Sequence, residues 1–201
     1  MTTLAPFQHF LGYNEELEPR FEKVLDERHV EVRRYHSYLV AKIKIDADEK
    51  NKTNESAYIR LLQYLHGKNS RREKIDSMTP LIQEDADHRV SALAQLANEN
   101  PTGKSFHVSV ILPEFERFED APLPLDPAIR IERVPSHLAA VLKFSGLCGR
   151  RKLERLAKYL ELWMHDRGYA AASAPRIAKY NPPFTLPFLR RNEIHINVVK
   201  N

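Results

Sequence analysis

"VEVRRYHSYLVAKIKI", residues 30–45, decides the fold. Val30 and Val32 fall on one side of an extended chain, Glu31 and Arg33 on the other. After "YHS" the alternation resumes, with Leu39, Ala41, Ile43 and Ile45 set against Val40, Lys42 and Lys44. A period of two in a run rich in β-branched residues is the mark of strands. The stretch predicts two strands joined at "YHS", with an earlier strand at Phe21–Leu25. Short connections between strands favour antiparallel pairing.

A second copy of the pattern begins at Ile129, as "IRIERVPSHLAAVLKF". At a constant offset of 99, Arg34/Arg133, Ser37/Ser136, Leu39/Leu138, Ala41/Ala140 and Lys44/Lys143 are identical. Each copy is followed by a helical pattern. In the first, Tyr58, Leu61, Leu62 and Leu65 recur at helical spacing and Gly67 is placed to end the helix. The second runs from about Arg150 to Arg167, with Leu153, Leu156, Leu160 and Met164 as its apolar stripe and Gly168 as its stop. At an offset of 95, Arg60/Arg155, Leu61/Leu156, Tyr64/Tyr159 and Leu65/Leu160 match. The same order of strand, strand and helix in both halves reads as an internal duplication.

Strands are also expected at "SMTPLIQED", "SFHVSVILPEF", Arg176–Tyr180 and Asn192–Val199. In the last, Ile194, Ile196 and Val198 share the face expected to point into the barrel, and His195 and Asn197 share the other. Residues 85–104 read either as an Ala-rich helical insertion or as a continued strand and turn, the helix being preferred. The whole is one α+β domain, residues 1–201. The expected architecture is an antiparallel β-barrel of two pseudo-twofold-related ββαβ-type repeats, about 20–115 and 125–200, with two packing helices and an N-terminal extension at 1–18.

The 31 Lys and Arg are interleaved with 27 Asp and Glu, which describes a solvated surface rather than a nucleic-acid footprint. Cys148 is the single cysteine, so a disulfide framework and a Cys-rich metal site are excluded, and it reads as an inert thiol. No apolar run reaches the length of about 18 residues that a membrane helix needs. The N-terminus lacks the basic and apolar regions of a secretory signal, so a cytoplasmic protein is expected.

Catalytic signatures are missing. There is no G-x-S-x-G, no P-loop, no G-x-G-x-x-G and no H-E-x-x-H, and the nine histidines show no H-x-x-x-H pair. The expectation is a binding protein rather than an enzyme, without a metal site. Tyr58, Leu61, Leu62 and Leu65 of the first helix most simply face the core, but with Ile59 and Tyr64 the helix is apolar over more than one stripe, and the excess would line a second, solvent-facing cleft. Opposite it, the prolines of "YNPPF", residues 180–184, would stiffen a loop into the second wall of an apolar groove.

"VEVRRYHSYLVAKI", "YLHGKNSRREKIDSMTP" and "YNPPFTLPFLRRNEIHI" together resemble, in order and spacing, the motif blocks of the SOUL haem-binding protein family, over about Pro19 to Lys200. The resemblance implies the effector-binding-domain type of barrel and non-covalent binding of haem or another tetrapyrrole, as carrier, buffer or sensor. Carried over by position, the groove falls on Tyr58, Leu61, Leu62 and Leu65 of the helix and on Tyr180, Pro182, Pro183 and Phe184 of the loop. Arg34 stands where some members have a histidine proposed as iron ligand, so no axial ligand is assigned. Thr185 stands at a family lysine position, with Lys179, Arg190, Arg191 and Arg60 as the nearest basic residues. The alternative is an effector-binding module for another amphipathic or cationic small molecule, met by Glu193 or Glu132 inside the barrel and acting through a protein partner.

Overall fold

The computed structural model describes residues 18–45, 54–75, 78–85, 105–112, 115, 117–181 and 185–201. The expectations for 86–104, for 1–17 and for Pro182–Phe184 lie outside the described residues.

The strands are β1 (Phe21–Glu27), β2 (Val30–Tyr35), β3 (Tyr38–Ile45), β4 (Met78–Asp85), β5 (Phe106–Leu112), β6 (Ile129–Val134), β7 (His137–Ser145), β8 (Tyr169–Ala171), β9 (Arg176–Lys179) and β10 (Arg191–Lys200). The helices are α1 (Asn54–Leu65) and α2 (Arg150–Asp166). All strands join one antiparallel sheet in the order β1-β2-β7-β10-β9-β4-β5-β3-β6, with β8 on the end of β10.

β2 and β3 do not form the hairpin that their short connection suggested. β2 pairs with β7 and β3 pairs with β6. In both ladders the two residue numbers of each pair add to 172, from Val30 with Leu142 to Ile43 with Ile129. Residues 30–43 and 129–142 are thus one long two-stranded ribbon, bent at residues 36–37 and 135–136. Its halves sit near opposite ends of the strand order, so the ribbon draws those ends together and the sheet curls.

Alternation along the strands gives the sheet two different faces. The outer face carries the helices. Val30, Val32, Ala140, Leu142, Ile194 and Ile196 pack against Leu153, Ala157, Leu160 and Met164 of α2. Leu39, Ala41, Ile43, Val108 and Val110 pack against Ala57, Leu61, Tyr64 and Leu65 of α1. Each fully buried aliphatic side chain here contributes roughly 1.5–3 kcal/mol. Ile194, Ile196 and Val198 therefore face a helix and not the inside of the curl, which corrects the sequence expectation. The inside belongs to the opposite parity, that of Glu193 and His195. β8 was also missed: three residues following Gly168 give no periodic signal.

The turn after α1 explains the "YLHGKN" block. Gly67 has φ +101°, a region costly for residues with a Cβ, and it reverses the chain. Asn69 is fully buried. Its Nδ2 donates to the carbonyls of Tyr64 (3.1 Å) and Glu73 (2.7 Å), and its Oδ1 accepts from the amides of Arg71 (3.2 Å) and Glu73 (3.3 Å). One side chain satisfies the helix end and the following turn.

Candidate functional site

β2 and β10 flank β7, so their inward side chains converge across the small Ala139 and Val141. Arg33 and Glu193 are both fully buried there. Arg33 Nη1 and Nη2 donate to the two carboxylate oxygens of Glu193 at 3.1 and 3.0 Å. Tyr180 Oη (2.6 Å), His195 Nε2 (2.8 Å) and Arg191 Nε and Nη2 (3.2 and 2.8 Å) donate to the same carboxylate. Arg33 also donates from Nε to Glu31 (2.6 Å) and from Nη1 to Tyr35 (2.9 Å). Glu31 is bonded in turn by Lys143 at 2.6 Å and paired with Lys23 at 3.0 Å. The Arg33 guanidinium lies 4.4 Å from the centre of the Phe21 ring, which closes the cluster on the β1 side.

The protonation states follow from the partners. Burial pushes the Glu193 carboxyl up, but His195, Arg33 and Arg191 outweigh it and hold the group well below the carboxylate range. Glu31 is likewise raised by burial and carried down to about 2 by Lys143, Arg33 and Lys23. Burial lowers His195 to about 4 against the pull of Glu193. His195 is therefore neutral at pH 7. Because an ionised carboxylate only accepts, the proton sits on Nε2.

Histidine, carboxylate and tyrosine in contact make acid–base hardware, but the set is closed off from solvent: His195 is 5% exposed, Tyr180 6% and Glu193 0%. Six donors meet a carboxylate with about four lone-pair directions, leaving none for an incoming cation. In the other half of the inner face, Lys42 binds Glu84 at 2.6 Å and Glu132 at 3.4 Å, so Glu132 too has a cation partner.

The groove residues expected from the sequence are divided by the structure. Leu61 and Leu65 are sealed in the core under α1, at 0% and 1% exposure. Tyr180 is inside the curl, bound to Glu193. Tyr58 is half-buried, Leu62 is partly buried and Ile59 is exposed, so these form the outward side of α1. Leu81 of β4 packs against the same core as Leu62 and pairs in register with Lys179 of β9. Tyr58, Leu62, Leu81 and Lys179 thus mark the outer surface beside α1. Burial, with Arg190 nearby, lowers the Lys179 amine, whose Nζ is 3.4 Å from Gln83 Oε1.

The loop after β9 is braced at its base. Asn181 Oδ1 accepts from the Arg191 amide (2.6 Å), and Arg190 Nε donates to the Thr185 carbonyl (2.7 Å). Arg190 and Arg191 are thereby engaged in structure, as is Arg60 through its paired bonds to Asp126 (2.7 and 2.6 Å). Thr185 is buried, with no partner for its Oγ1 among the described residues. His36 and Arg34 are exposed near the ribbon bend. Among the described residues no group of three or more His, Cys, Asp or Glu is placed to hold a metal.

The inner cluster is built from the residues that give two of the sequence blocks their character: Glu31, Arg33 and Tyr35 from one, Tyr180 and Glu193 from the other. The model of the SOUL heme-binding protein family matches residues 17–197. The chain belongs to this family. No curated protein matches the chain. Among solved structures, the C-terminal domain of EcmrR is similar at 14% identity and TM-score 0.57, over 86% of this chain and 98% of that one. A hydrolase encoded by lin2189 from Listeria innocua is similar at 10% identity and TM-score 0.62, over 88% and 94%. At such identities the likeness is one of fold: a curled antiparallel sheet with two helices. No described helix of this SOUL protein is long and apolar enough to cross a membrane.

Proposed function

We propose that this SOUL protein binds haem or a related tetrapyrrole, without catalysis, on the outer surface beside α1 and not inside the curled sheet. The observation that carries this reading is the saturated Glu193 carboxylate, since the protein's own side chains fill the inner face where a ligand would otherwise enter. A flat, largely apolar anion suits the outer surface in character. Tyr58 and Leu62 offer apolar contact, Leu81 a floor, and Lys179 a cation for a propionate; Pro182, Pro183 and Phe184 are assigned to the opposite wall by the family pattern. Bound there, the macrocycle would supply its own redox and ligand chemistry, while the chain supplies shape, water exclusion and charge. No axial iron ligand is assigned.

The effector-binding alternative is supported by the shared fold with the EcmrR domain and opposed by the cation partners already held by Glu193 and Glu132. We also propose that the chain arose by duplication. In support, the shift of 99 that aligns the two sequence halves carries β2 onto β6 and β3 onto β7, and in each half the following helix packs on the outer face of the second of these strands.

Titration with hemin tests the function. A saturable Soret shift near one equivalent is expected, weakened at least about tenfold by Leu62→Asp, the cost of placing a carboxylate on an apolar contact. No saturable shift, or binding unchanged by Leu62→Asp, would overturn the reading.

A further inference from the structure

A concave surface lies on the other half of the molecule, between the β1–β2 turn and the flank of α2. Its volume is about 680 Å³, within the range of roughly 300–1,000 Å³ usual for small-molecule sites. Leu142, Leu156 and Trp163 form an apolar floor, and Tyr159, one helical turn before Trp163, stands beside it 53% exposed. Arg28, His29, Lys143 and Arg167 supply the basic side of the lining, and Glu27 is its one acidic residue.

The charges do not cancel. Arg167 pairs with Glu27 and Lys143 with Glu31, but Arg28 has no hydrogen-bond or ion-pair partner among the described residues. Its backbone is also unusual. Arg28 and His29 form the two-residue connection between the paired Glu27 and Val30, and Arg28 has φ +54°. A side chain in that left-handed region is held at a conformational cost that glycine would avoid. Among the described residues this guanidinium is left free at the edge of an apolar, aromatic cleft, at a conformational cost.

We propose that this cleft is a second binding site, specific for a flat aromatic carboxylate. The ring lies against Tyr159 and the Leu142–Leu156–Trp163 floor, and the carboxylate meets Arg28. The site is separate from the α1 surface, since it is built on α2, β1, β2 and β7.

Trp163 is the only tryptophan of the chain, and its Nε1–H lies 3.3 Å from Glu27 Oε2 at the cleft. A ¹⁵N-labelled sample therefore shows a single indole resonance that reports on this site. Titration with naphthalene-2-carboxylate is expected to shift it saturably, and naphthalen-2-ylmethylammonium to bind at least about tenfold more weakly, the worth of reversing one charge contact. Arg28→Glu and Tyr159→Glu, both at exposed positions, should each weaken carboxylate binding by about tenfold or more, while Leu62→Glu on α1 leaves it unchanged. An indole resonance that stays fixed up to millimolar carboxylate would overturn the proposal. So would equal binding of the cation, or indifference to both the Arg28 and Tyr159 substitutions.

Discussion

Arg33 and Glu193 stand 160 positions apart in the chain and meet as a two-pronged ion pair with neither side chain exposed to solvent. β2 and β10 are brought within reach because each pairs with a different edge of β7, whose intervening inward residues are small. The pair is a product of topology, and Tyr180, His195 and Arg191 occupy the remaining directions of the carboxylate.

Breaking the pair from one side should be costly. Glu193→Gln leaves Arg33 and Arg191 without their shared counter-charge, and loss of one partner of a buried pair costs about 3–5 kcal/mol. For a domain of this size that corresponds to a fall in Tm of about 6–20 °C. Urea denaturation of the variant measures it. A change well under 1 kcal/mol would mean that water reaches the cluster.

Stability should also fall on mild acidification. His195 titrates near its ordinary 6.5 when unfolded and at about 4 when folded, so between these values the unfolded chain binds the proton and the folded chain does not. Stability is then flat above about pH 7 and declines as pH drops from about 6.5 to 4. Below about pH 4.5 Glu31, held down to about 2, adds to the loss. Urea midpoints measured across this range should show the slope between pH 6.5 and 4.5 reduced in His195→Gln. An equal slope in the variant would assign it to other groups.

Asn69→Ala tests the reading of "YLHGKN" as a structural cap. Four hydrogen bonds to backbone groups are lost at a buried position, and a destabilisation of about 2–4 kcal/mol is expected. The α1 surface is only supported by this turn, so hemin affinity measured where the variant remains folded should change little. A loss of affinity without loss of stability would make Asn69 a ligand residue instead.

Much of the fold was readable because alternation and helical spacing are local. Val30 with Val32, and Leu153 with Leu160, declare their faces without knowledge of the partner. The partner itself is not local. "YHS" looks like a hairpin turn, yet β2 pairs with β7 and β3 with β6, both far along the chain, and short-range pattern carries no trace of that exchange. The same limit hid the inner cluster. Glu31, Arg33 and His195 have the polar parity that usually meets water, and only closure of the sheet turns that face inward. Of the residues expected to line a groove, Leu61 and Leu65 fell on the core side of α1, because their stripe was the core stripe. Tyr58 and Leu62 lie at its margin. Lys179 is placed beside that margin through Leu81, a neighbour assigned by sheet register.

The most direct test of the account is a crystal structure of the protein with hemin bound. The account predicts the porphyrin on the outer surface, against Tyr58, Leu62 and Lys179, with the Arg33–Glu193 pair intact behind it. A porphyrin lodged within the curl of the sheet, with Arg33 and Glu193 drawn apart, would contradict it.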